Sequence, residues 1–155
     1  MNETASQKEG FMQNASKNQT DRSDLYYTAY SDVNRILNKY SREAHKDQVF
    51  LTIDGGGFVK NMLGERFSSL MELVLEEAYD TCRENVPVNH RYLKIRSLDA
   101  HRQLFFKTVY SSDGGHRAFR SKRLADVQDM VDQVGGYFRV LEGDEETAVM
   151  ISIHQ

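Results

Sequence analysis

A chain of 155 residues, 39% hydrophobic and 28% charged, has the material for one domain with a proper buried core. Its net charge of −3 leaves no basic excess to displace counterions, which excludes nucleic acid as a bulk partner. No apolar run approaches the roughly 20 residues that span a bilayer, no signal-like apolar stretch opens the chain, and the lone Cys82 cannot form an internal disulfide, so a reducing, cytoplasmic setting is expected.

Residues 1–23 are rich in Asn, Gln, Ser, Thr and Lys and poor in apolar side chains. Such a segment cannot repay the entropy of ordering and reads as a disordered tail or linker, with the folded domain spanning 24–155. The sequons at Asn2, Asn14 and Asn18 follow from that composition and, without a secretory signal, predict no glycosylation. Val33, Ile36, Leu37, Tyr40 and Ala44 recur at helical spacing, with Ser31 or Asp32 as N-cap, and predict a helix to about Lys46. Gln48–Asp54 is a short β-rich run that ends at Gly55-Gly56-Gly57, a flexible loop without the Lys-Ser/Thr of a phosphate-binding P-loop.

A long helix follows from about Gly64 to Glu84, stopped before Pro87. At about 100° per residue, Phe67, Leu70, Met71, Val74, Leu75, Ala78 and Cys82 form its apolar arc. Glu72, Glu76, Glu77, Asp80 and Glu84 crowd the opposite arc, and Leu73 interrupts them. Such an acidic arc either faces water or walls a pocket; carboxylates on one helix also suit Mg²⁺ or Ca²⁺. Arg91–Leu98 and Gln103–Tyr110 are two alternating strands across a short turn, and must pair as an antiparallel hairpin. After a polar loop comes a helix with Leu124, Val127, Val131 and Val134 on its buried stripe, stopped by Gly135-Gly136. Strands Tyr137–Leu141 and Thr147–Ile153 close the chain around an acidic turn. The order predicts a two-layer α/β sandwich: a mixed, mostly antiparallel sheet of about five strands with about three helices on one face.

The histidines (His45, His90, His101, His116 and His154) lack ligand spacing, and no nucleophile–base–acid set is recognisable. His45 on the first helix reads as a surface residue, since no long helical hairpin presents it as a phosphoacceptor.

The segment LADVQDMVDQVGGYFRV, Leu124–Val140, resembles the glycine-ended helix and strand of the GHKL (Bergerat-fold) ATPase domain. Met71–Cys82 is similar to that family's N-box helix, and YSDVNRILNKYSREAHKDQVFLTID looks like the helix and strand that precede it. The likeness covers roughly Ser31 to Ile153, and is greatest for the quorum-sensing type of sensor histidine kinase. It implies an ATP pocket at Leu73, Glu77, Asp80, Asp113, Gly115, Ser121 and Arg123. Glu77 matches the family's magnesium-coordinating asparagine, and Leu73 the polar residue one turn earlier that assists a water or hydroxyl. Asp80 agrees with the acid often found there. Asp113 and Gly115 keep a D-x-G fragment of the adenine-reading loop, a few residues late, while Arg117 replaces the next glycine. Ser121 and Arg123 replace the phosphate-side glycines, whose bare backbone lets N–H groups approach phosphate at a helix N-terminus.

Three ATP-handling sites are thus altered together. The reading is a non-catalytic regulatory or binding module of a two-component system, with no cofactor, acting on a protein partner or as a homodimer. The alternative is a divergent but active Mg-ATP-binding domain of a sensor kinase or an anti-sigma-factor-like kinase. In the first reading, Glu77 and Arg123 are expected to pair across the altered pocket in place of a ligand.

Overall fold

The computed structural model describes residues 31–54, 65–100, 102–114 and 121–154. The expected tail, the glycine run at 55–57 and the pocket positions Gly115 and Arg117 lie outside the described residues. The elements in order are α1 (Ser31–Lys46), β1 (Phe50–Asp54), α2 (Glu65–Asn85), a short 3-10 turn (Val88–His90), β2 (Tyr92–Ala100), β3 (Gln103–Ser111), α3 (Lys122–Gln133), β4 (Tyr137–Glu142) and β5 (Glu146–His154).

The strands form one five-stranded sheet in the order β1-β2-β3-β5-β4. β1 lies parallel to β2, and the remaining pairs are antiparallel. The expected two-layer sandwich is what forms, and both short-linked strand pairs are hairpin neighbours. The parallel β1–β2 pair follows from the chain between them: α2 carries the backbone from one end of the sheet to the other, as a crossover must.

Period-2 alternation sorts the strands into two faces. On β3, Leu104, Phe106, Thr108 and Tyr110 are buried, while Phe105 and Lys107 between them are exposed. On β5, Thr147, Val149, Ile151 and Ile153 continue the buried face. Against it pack the stripes anticipated on the helices. Val33, Ile36, Leu37, Tyr40 and Ala44 of α1 are all buried, as are Leu124, Val127 and Val131 of α3. The whole apolar arc of α2, Cys82 included, belongs to the same core. Burial pushes the Cys82 thiol up in pKa, and it contacts Ser111 Oγ at 3.1 Å.

α3 stops where expected. Gly135 has φ +68°, a left-handed position that glycine adopts at no steric cost. Gly136 must be glycine for a different reason. A Cβ there would lie 2.8 Å from Ser152 O and from a Val131 methyl, so helix and sheet meet over a bare backbone.

Candidate functional site

α2 is the central helix, packed on the sheet with α1 and α3 beside it. Its length lets one face meet the sheet while the flanks meet helices, so its acidic arc is not wholly solvated. Glu77 is the clearest departure: among the acids of that arc, its side chain is 7% exposed, against 42% for Glu76 and 26% for Asp80. Leu73 is half-buried against the core. Of the two readings left open for the arc, water or pocket wall, full solvation fails at these two residues. Glu77 faces the start of α3, and Leu73 packs against the core.

Ser121 and Arg123 approach Glu77 from the other side. Ser121 is the N-cap of α3: its Oγ accepts from Leu124 N at 3.2 Å, satisfying one of the helix's orphan donors. The same hydroxyl donates to Glu77 Oε1 at 2.7 Å. Two residues on, Arg123 spreads its guanidinium over the acids of α2. Nη2 lies 2.9 Å from Asp80 Oδ2, Nε 3.1 Å from Glu76 Oε1 and Nη1 3.5 Å from Glu77 Oε1. The expected Glu77–Arg123 pair is present, but it is the longest of three; Asp80 is the nearest acid. Partial burial works against the Arg123 charge, yet Asp80, then Glu76 and Glu77, outweigh it and raise its pKa above the ordinary arginine value. Lys122, which also opens α3, points away and pairs with Asp126 at 3.4 Å while largely exposed.

Glu77 thus accepts from Ser121, from Thr81 Oγ1 at 3.5 Å and from Arg123. This arrangement satisfies a buried carboxylate by donors of the chain itself. Among the described residues, no group of three or more His, Cys, Asp or Glu side chains is arranged to hold a metal ion. Leu73, one turn before Glu77, offers no group able to move a proton.

The sheet contributes residues that sequence reasoning did not single out. Tyr110 is fully buried near Glu77, with its hydroxyl unpartnered among the described residues. Burial first, then the Glu77 and Glu142 charges, raise its pKa. Two residues on, Ser112 is buried and shares a 3.0 Å hydrogen bond with Thr147 Oγ1. Ser112 is the first residue after β3. Strand alternation offered no signal for Ser112, since it lies one residue past β3 and Ser111 before it is buried as well. Asp113, the predicted match, is exposed and lines an open groove with His90 and Glu145.

No protein-family model matches the chain, and no curated protein matches it in sequence. Solved structures do match. The fold is the GHKL type found in histidine kinase catalytic domains. The catalytic domain of histidine kinase ThkA superposes with a TM-score of 0.63 at 12% identity, covering 83% of this chain and 92% of that one. The blue-light activated histidine kinase of Erythrobacter litoralis gives 0.60 at 17% identity, over 79% of this chain and 40% of that one. ThkA in complex with the response regulator protein TrrA gives 0.60 at 11% identity, over 83% of this chain and 40% of that one. Among the described residues, no helix is long and apolar enough to cross a membrane.

Proposed function

We propose that this chain is a signalling module of the histidine-kinase type in which an internal ion-pair cluster replaces the nucleotide. It serves as a non-catalytic regulatory or binding part of a two-component system, takes a protein partner, and uses no Mg-ATP. The observation that carries this is the hold of Arg123 on Glu76, Glu77 and Asp80, reinforced by Ser121 on Glu77.

The support is chemical. A magnesium-binding position needs an oxygen ligand open to the ion. Glu77 instead spends its carboxylate on Ser121, Thr81 and Arg123. A phosphate-binding helix start needs bare N–H groups. Here the Ser121 hydroxyl already takes one of them, Leu124 N, and the Arg123 side chain stands beside it. Tyr110 fills space next to Glu77 with a large buried ring. What the cluster does is mechanical: it ties the start of α3 to the middle of α2 and closes the gap between them.

Thermal denaturation of the chain with millimolar Mg-ATP, and separately with inorganic phosphate, tests the reading. A ligand at 100 times its Kd adds about 2.7 kcal/mol, a shift of several degrees in a domain this size. No shift with Mg-ATP is expected. A shift that corresponds to low-micromolar affinity would overturn the proposal and favour an active kinase domain.

A further inference from the structure

The helices leave the second face of the sheet uncovered among the described residues, and the strand register organises that face into rows. Arg96 lies opposite Lys107, Lys107 opposite Met150, and Met150 opposite Arg139. Three cations therefore stand in one row across four strands, with Lys94 two residues along β2 on the same face and also exposed. The neighbouring row runs Leu98, Phe105, Ser152, Tyr137. Its three large apolar members are 53%, 43% and 53% exposed, respectively. The one acid in the cationic row, Asp54, sits opposite Arg96 at 3.6 Å with both side chains mostly in water, so it offsets little.

A chain of net charge −3 thus carries a cationic, partly apolar sheet face. We propose that this face is a docking surface for an acidic protein segment that bears apolar side chains. The inference is independent of what the α2–α3 cluster does. At about 4.8 Å per strand, the cation row from β2 to β4 is roughly 14 Å long, and the apolar row runs parallel to it about 7 Å away. A segment with carboxylates along one edge and apolar side chains along the other matches both rows together. The whole open face measures roughly 600 Å², below the ~800 Å² per partner of a standard stable complex, which suits a transient contact. Charge favours a short segment over a polyanion. Within a Debye length of about 8 Å a small partner feels the local row. A nucleic acid strand or anionic bilayer also meets the acids elsewhere on the surface.

Backbone amide shifts of the full chain, measured by NMR during titration, test this with four probes. They are a synthetic peptide alternating Glu and Leu, its Glu/Ser counterpart, a single-stranded oligothymidylate, and phosphatidylserine vesicles. The Glu/Leu peptide is expected to shift Arg96, Phe105, Lys107 and Arg139, and to bind more tightly than the other three. Lys107→Glu with Arg139→Glu, both exposed and so compatible with folding, should weaken it at least tenfold. Absence of binding, binding indifferent to the charge reversal, or tighter binding of the oligonucleotide or vesicles would overturn the proposal.

Discussion

Ser121 Oγ donates to Glu77 Oε1 at 2.7 Å while accepting from Leu124 N at 3.2 Å, so one hydroxyl both caps α3 and bonds it to α2. Ser121→Ala removes both roles. A lost N-cap costs about 0.5–2 kcal/mol, and a buried carboxylate short of one donor places the total towards or beyond the top of that range. Urea unfolding checks this. Ser121→Gly also loses the bond to Glu77 but should be the milder change, because a glycine cap itself costs only about a few tenths of a kcal/mol.

Arg123 and the acids of α2 should be energetically coupled. Arg123→Ala leaves the 7%-exposed Glu77 carboxylate without its cation, and should destabilise by about 1–3 kcal/mol. A double-mutant cycle with Glu77→Ala should return a coupling of at least ~0.5 kcal/mol. The same cycle with Glu76, at 42% exposure, should give less, because a solvated pair is worth about 0.2–1 kcal/mol. Additive losses for Glu77 would show that the contact is incidental.

How far the sequence reveals this arrangement depends on which force places each residue. The core stripes were legible, since Ile36, Leu37, Leu70, Val74 and Val127 repeat at the helical period and all reach full or near-full burial. The stop at Gly135-Gly136 was legible for the same local reason. Glu77 was not. Helical periodicity alone left its arc open between water and a pocket wall, and the start of α3, packed on α2, covers it. Arg91 is a second case. Its guanidinium donates to the carbonyls of Val86, Asp47 and Arg83, each at 2.9 Å, joining the end of α2 to the turn before β1. Backbone carbonyls leave no mark in a sequence, so nothing there distinguishes this arginine from a surface one. Asp113 is exposed two residues beyond the end of β3, where no strand period fixes which way a side chain faces.

The buried tyrosines predict an alkaline limit to stability. Burial raises the pKa of Tyr40, with Glu76 and Glu72 adding to it, and burial with Glu77 does the same for Tyr110. A group whose folded pKa is raised holds its proton more tightly when folded. Its contribution is complete below the unfolded value of about 10, and is lost as pH climbs above that towards the folded value. Tyrosinate absorbance from these two residues should therefore appear together with loss of helical circular dichroism. Complete ionisation of all tyrosines in a still-folded chain would contradict the burial.

α1 should be integral to the domain. Val33, Ile36, Leu37 and Tyr40 are each at most 3% exposed, and the Tyr40 ring packs 5.7 Å from that of Tyr79. Each such side chain returned to water costs about 1.5–3 kcal/mol, which together rivals the whole stability of a small domain. Deleting the chain through Lys46 should give aggregation or an early thermal transition, read by light scattering. A monomeric fragment of unchanged stability would mean that this stripe serves something else.

Isothermal titration calorimetry of Mg-ATP, run on the native chain and on the Glu77→Asn, Ser121→Gly, Arg123→Gly variant, tests the central claim most directly. Circular dichroism first establishes that the variant is folded. If the Ser121–Glu77–Arg123 cluster stands in for nucleotide, the native chain should give no binding heat, and the variant should bind with a measurable Kd. Low-micromolar binding by the native chain, or a folded variant as inert as the native one, would contradict it.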